Sequence, residues 1–242
     1  MIEREIDLQT ADGTMKTFVY RPREGGPFPV VLYLMDAPSI RPALKDMAAR
    51  LATAGYYVYL PYLFYRGGPF REFGLSDEDM HARRDLMRTV TRAGILTDAQ
   101  AMLDDAAQDS AASTEKIGAV GFCMSGRLVL ALAQAMPEHV AAVAALHGGG
   151  YVIDRDDSPH KCLDHVRAEV YMGWPGSDPG APPEHVPIME KALTEASVRH
   201  RIDYIEDALH GYCPPGGARY NRLAAELHWS RVLDMFQRNL VV

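Results

Sequence analysis

The segment Lys116–Ala133, KIGAVGFCMSGRLVLALA, sets a cysteine where a nucleophile could act. Ile117–Phe122 reads as an apolar strand and Arg127–Ala133 as part of a helix, with Cys123 at the turn between them. A sharp strand-to-helix turn lifts its central side chain above the sheet. Small residues two before and two after, here Gly121 and Ser125, keep strand and helix from colliding. The helix that follows aims its N-terminus at the thiol, which favours the thiolate and any negative charge developing beside it. Free cysteines are also common as inert buried groups, but an ordinary turn does not need small residues at both offsets. Ser125 fails as the nucleophile, because Cys123 and Arg127 would then occupy the small positions.

A nucleophile of this kind needs a base, and the base needs an acid to orient it. In this strand–turn–helix setting the chain order is nucleophile, acid, base. Of nine histidines, His210 stands in DALHGYCPPGG, a loop after the last expected strand. His228 lies on the C-terminal helix, and His81, His139, His160, His165, His185 and His200 read as surface or helix-end residues. His147, in LHGGGY, follows the strand after the elbow and competes for the role, but it precedes every well-placed acid. The acid is read as Asp178 in AEVYMGWPGSDPG, against the plainer role of starting an Asp-Pro turn. Its rival, Asp207, is only three residues from His210. Cys123, Asp178 and His210 together could carry acyl transfer, given donors for an oxyanion. Met124 N–H is one. The second comes from Met35-Asp36-Ala37-Pro38, where Ala37 can donate and Pro38 cannot. Asp36 either caps a helix starting near Ile40 or faces the elbow.

The elements that must position these residues follow an alternating rhythm. Glu3–Thr10 and Thr14–Pro22 flank Ala11-Asp12-Gly13, whose Asp-Gly pair signals a hairpin. The strand Pro29–Leu34, a helix over about Ile40–Ala54 and the strand Tyr56–Leu60 come next. An irregular stretch rich in Gly, Pro and aromatics then leads to a helix over Leu96–Ala112 and the strand Lys116–Gly121. A helix from Met124 to Met136, strands Val140–Leu146 and Ala168–Met172, a helix over Pro183–Ala196, the strand Val198–Tyr204 and a helix from about Ala218 to Asn239 complete the pattern. Such alternation implies an α/β protein with a mostly parallel central sheet, helices on both faces, and chemistry at the carboxyl ends of the strands. No repeat or linker divides the chain, so residues 1–242 are expected to form a single domain.

Composition narrows the function classes. The chain is 48% hydrophobic and 24% charged with a net charge of -7, which argues against a nucleic-acid partner. No apolar run approaches the roughly 20 residues of a membrane span, and the charged start MIEREIDLQT lacks a signal-peptide core. Three cysteines without a C-x-x-C pair argue against a disulfide scaffold or a metal site and for reduced thiols in the cytoplasm.

GFCMSG, the loop LMDAPSIR, the acid loop GSDP, LHGGG and the late HGY together resemble the dienelactone hydrolase (carboxymethylenebutenolidase) family, over essentially the whole chain. The resemblance implies a single α/β-hydrolase domain, cytoplasmic, with no cofactor and no metal, active as a monomer or homodimer on a small-molecule carboxylic ester or lactone. It implies Cys123 as nucleophile, His210 as proton shuttle, Asp178 as acid, and Met124 and Ala37 as oxyanion donors. It places Asp36 where the family has a glutamate bonded to the resting thiol, so Asp36 is expected to gate Cys123. The family holds its substrate carboxylate with arginines, one shortly after the catalytic histidine. Here Gly211-Tyr212-Cys213-Pro214-Pro215 follows His210, leaving Arg84 (or Arg83), with Trp174 and Tyr212, as the candidate substrate-binding residues. Two other classes stay open: a redox thiol protein pairing Cys123 with Cys213, and a binding module that has kept the fold without catalysis.

Overall fold

The computed structural model describes residues 1–74 and 76–240, and the expected domain's remaining positions, 75, 241 and 242, lie outside the described residues. Contacts divide the chain into two compact units, residues 1–115 and residues 116 onward.

In the first unit, β1 (Ile2–Thr10) and β2 (Gly13–Arg21) form the hairpin that the Asp-Gly pair announces, closed by the pair Thr10↔Gly13 with Gly13 at φ +133°. β2 then runs antiparallel to β4 (Tyr57–Pro61), and β4 runs parallel to β3 (Phe28–Leu34), giving the order β1-β2-β4-β3. The helix α1 (Pro42–Thr53) packs on β2 and β4, and α3 (Arg92–Ala106) on β1 and β3. Between them the stretch expected to be irregular contains a further helix, α2 (Asp77–Met87). Ser76 caps it by accepting from Asp79 N–H, and Asp77, Glu78 and Asp79 fill its first turn. None of its residues is buried, so no apolar stripe marked it in the sequence.

In the second unit β5 (Ala112–Phe122), β6 (Val140–Leu146), β7 (Glu169–Ser177) and β8 (His200–Leu209) run parallel in that order. β6, VAAVAAL, is nearly all buried, as a strand covered on both faces must be. Glycines on β5 show where its covering helices lie. A Cβ on Gly118 would meet Phe236 and Leu240 at and just beyond the end of α6 (Arg222–Asn239), whereas one on Gly121 would meet Val129 of α4 (Gly126–Ala135). Residues three apart on a strand point to opposite faces, so α4 and α6 cover opposite sides of β5. α5 (His185–Glu195) packs on β8.

Two strand ends differ from expectation, and both differences matter for the site. β7 continues past Met172 through Trp174-Pro175-Gly176 to Ser177, with a register shift between Pro175 and Ser177. Proline ordinarily ends a central strand, and a bulge is the device that accommodates it. β8 likewise runs on past Tyr204 to Leu209. The third helix ends at Ala106 rather than Ala112, where β5 has already begun.

Candidate active site

Strand register alone brings the second unit's chemistry together. The last pair of the β7–β8 ladder is Ser177↔Leu209, so the next residues on the two strands are Asp178 and His210. The last pair of the β5–β6 ladder is Phe122↔Leu146, followed by Cys123 and His147. All four stand at the carboxyl ends of parallel strands, where an open α/β sheet binds its ligands.

Cys123 sits on a sharp turn. Its φ is +53°, a left-handed conformation that costs a residue with a Cβ roughly 1–2 kcal/mol. The turn Cys123–Ser125 follows at once and leads into α4. Three glycines make room for it. A Cβ on Gly121 would drive into the Ser125 carbonyl, 2.7 Å from its carbon. A Cβ on either Gly126 or Gly148 would collide with the hydroxyl of Tyr151, a buried residue whose ring lies 5.3 Å from that of Trp174. The sequence singled out Gly121 and Ser125-Gly126; the packing adds Gly148 and Tyr151, which only the folded loop reveals. Gly121→Ala is therefore expected to destabilise the fold by about 1–3 kcal/mol through overpacking. Urea denaturation measures this, and an unchanged midpoint would mean that the elbow relaxes around the methyl group.

The imidazole of His210 bridges the other two groups. Nε2 lies 3.0 Å from the Cys123 Sγ and Nδ1 lies 2.5 Å from Asp178 Oδ2. The Asp178 side chain is 5% exposed and that of His210 is 29%. The other Asp178 oxygen, Oδ1, accepts from Gly180 N–H at 2.8 Å, so the carboxylate is fixed from both sides. His210 is held well above its ordinary value, at about 9. Its hydrogen bond to Cys123 is the largest cause; burial opposes this, and the charges of Cys123 and Asp178 and the Asp178 hydrogen bond add to it. A cationic imidazole within hydrogen-bond reach of the Cys123 sulfur is what this favours, and a base so placed can activate a nucleophile.

His147, the rival base, is fully buried rather than in the base's place, at φ +40°. Its ring stands edge-on to His210 at 5.6 Å and to Tyr212 at 5.4 Å, supporting His210 from behind. Met124 follows Cys123 in the first turn, where backbone N–H groups have no partner within the helix.

The other expected site residues fall elsewhere. Trp174 is 1% exposed, with Nε1–H donating to Ala181 O at 2.7 Å, and Tyr212 is fully buried with its hydroxyl bonded to His228. Neither presents a face to a ligand as placed. Arg84 is an exposed residue in the last turn of α2. Asp36 is gripped by Arg41 through two bonds, 2.6 Å to Oδ1 and 2.8 Å to Oδ2. It does not cap α1, whose N-cap is Arg41 itself. Ala37 lies half-buried in the turn just after Asp36. Arg219, the first arginine after His210 but beyond the segment directly following it, is brought back to that residue. Arg219 is exposed, and its Nη1 donates to the His210 carbonyl at 3.3 Å. Nine residues separate the two in sequence, too far for spacing to show that the loop doubles back.

A Synechocystis protein named "Putative carboxymethylenebutenolidase" is 28% identical over 226 residues, 92% of this chain and 91% of its own length. The carboxymethylenebutenolidase of Rhodococcus opacus is 25% identical, covering 93% of this chain and 87% of its own. A crystal structure titled "Putative Dienelactone Hydrolase" from Klebsiella pneumoniae superposes with a TM-score of 0.86 at 23% identity, covering 98% of each chain. The fold is that of the α/β-hydrolases, and the model of the dienelactone hydrolase family matches residues 15–240. The chain belongs to the dienelactone hydrolase family.

Proposed function

We propose that the protein hydrolyses carboxylic esters or lactones with Cys123 as its nucleophile. The observation that carries this is the continuous line Asp178–His210–Cys123, with 2.5 Å and 3.0 Å spacings. The Cys123 thiolate adds to the carbonyl carbon, and the new oxyanion meets the Met124 N–H. Collapse expels the alkoxide or enolate, which takes the proton from His210 Nε2 and leaves an acyl thioester. For a lactone the leaving oxygen stays tethered to the acyl group. Water, giving its proton to His210, then adds to the thioester, and collapse releases the acid and the Cys123 thiolate, restoring the starting pair. Asp178 keeps the imidazole oriented and stabilises its cationic form.

A redox role pairing Cys123 with Cys213 has less support, because Cys213 is 3% exposed whereas Cys123 is partly open. Alkylation with iodoacetamide separates the two readings. It should label Cys123 ahead of Cys162 and Cys213 and abolish hydrolysis in step. Labelling of Cys213 with Cys123 untouched would sink the hydrolase reading.

The substrate's charge is a finer matter. An anionic lactone entering a partly desolvated pocket requires a paired cation. The sequence left none directly after His210, but the fold returns Arg219 to the carbonyl of that residue. We expect Arg219→Ala to lower kcat/KM for an anionic dienelactone by about ten- to a hundredfold, the worth of one charge-assisted hydrogen bond. Hydrolysis of neutral p-nitrophenyl acetate should change by less than about twofold, since uniform binding contacts affect only the substrates that make them. An equal loss on both substrates would show that Arg219 holds the loop rather than the substrate.

A further inference from the structure

Behind the triad lies a chain of buried hydrogen bonds whose direction can be worked out proton by proton. His228, on α6 and 2% exposed, bonds Tyr171 of β7 through Nδ1 and Tyr212 through Nε2. The Tyr171 hydroxyl also reaches Asp203 Oδ2 on β8 at 3.1 Å. That carboxylate accepts from Arg201 Nε at 2.7 Å and from Arg231 Nε at 3.2 Å. An ionised carboxylate can only accept, so the Tyr171 proton belongs to Asp203. The Tyr171 oxygen must then accept from His228 Nδ1–H. Nε2 is left bare and accepts the O–H of Tyr212. His228 meets the hydroxyls of Tyr171 and Tyr212 and feels the charge of Asp203, whose carboxylate Arg231 of the same helix also bonds. With the ring neutral, these groups admit one proton arrangement. Burial keeps it neutral by lowering its pKa to about 4, against a smaller opposing pull from Asp203.

This chain ends two residues from His210. Tyr212 is joined to it through Gly211 at φ +84°, and the Tyr212 carbonyl accepts from Asn221 N–H at 3.1 Å, closing the loop onto the start of α6. The His147 ring is in edge contact with both Tyr212 and His210, a second path between them. Room for the relay depends on Gly173, where a Cβ would come within 2.8 Å of both His228 Nε2 and the Tyr212 hydroxyl. Nothing in folding requires a buried, directed chain here; an apolar trio would pack as well at lower cost in desolvation.

We propose that His228 and Tyr212 are positioning residues that hold the His210 imidazole in line between Asp178 and Cys123. This rests on the reading of His210 as the base. The test compares Tyr212→Phe with wild type by kcat and KM on p-nitrophenyl acetate and by the pH profile of Cys123 alkylation, mapped by mass spectrometry. Tyr212→Phe keeps the ring against His147 and removes only the donor. We expect kcat to fall about ten- to a hundredfold, as small misplacements of a catalytic group do, with KM within about twofold. Alkylation near pH 6 should slow in parallel, whereas alkylation near pH 10, where the thiolate needs no partner, should not. A profile and kcat within twofold of wild type would overturn the proposal. So would a nitrogen-15 spectrum of the wild type with the His228 proton on Nε2. If Tyr212→Phe does not fold, Tyr171→Phe takes its place, with a several-fold loss expected and an unaltered profile overturning the idea. His210→Ala serves as the control. If it leaves alkylation near pH 6 at the wild-type rate, the assignment of the base has failed, not the relay.

Discussion

Cys123→Ala is expected to abolish ester hydrolysis, lowering kcat on p-nitrophenyl acetate by about three to six orders of magnitude. The substitution removes the only atom the mechanism bonds to the substrate, and it leaves the turn intact, since alanine and cysteine bear the same strain at φ +53°. Far-ultraviolet circular dichroism should therefore overlay that of the wild type. Cys123→Ser is the stricter comparison. It keeps a nucleophilic atom, but a hydroxyl ionises far less readily than a thiol, so the rate should still fall well below that of the wild type. A Cys123→Ala enzyme retaining more than a few per cent of the wild-type rate would remove Cys123 from the mechanism.

The second large effect concerns the acid. Asp178→Asn should reduce kcat by about 10³–10⁴-fold with little change in secondary structure. Asparagine can turn its amide donor toward His210 Nδ1, which moves the ring proton to Nε2 and leaves nothing to accept one from Cys123. The pH dependence gives an independent check. Wild-type kcat/KM should hold to about pH 9 and then fall as the imidazolium loses its proton, the apparent value belonging to the coupled thiol–imidazole pair. Stability follows the same group. The folded-state value, about 9, lies above the roughly 6.5 of an unfolded histidine, so its favourable contribution is whole below about pH 6.5 and is lost as pH rises through 9. Thermal melts across pH 6–10 for wild type and Asp178→Asn measure this. Parallel curves would mean that the carboxylate does not hold the cation.

Much of this site could be read before the fold was known, and the physical reason is locality. Cys123 declared itself because the elbow is a local motif, with strand, small residues and helix inside eighteen letters. His210 and Asp178 were picked out by order along the chain, and the structure brings them together although both β7 and β8 run several residues farther than expected. Pro175 hid that extension, since the bulge that tolerates it leaves no mark in the sequence. The helix α2 escaped because it buries nothing. Trp174 and Tyr212 were expected at the site but turn inward for a related reason: each is a bulky residue beside a strand-end loop, and sequence does not show which way such a side chain turns. The structure turns Trp174 toward Ala181 and Tyr212 toward His228. Arg219 and the Tyr212–His228–Tyr171 chain depend on contacts between distant segments, which no spacing encodes.

The two left-handed residues at neighbouring strand ends, Cys123 and His147, have a consequence for how this protein can change. Each is a position where glycine would relax the backbone, and each carries a side chain that glycine lacks. Glycine at either position would thus gain backbone stability and lose that side chain. A side chain held at so unfavourable a backbone angle is the kind of local strain that clusters at functional sites.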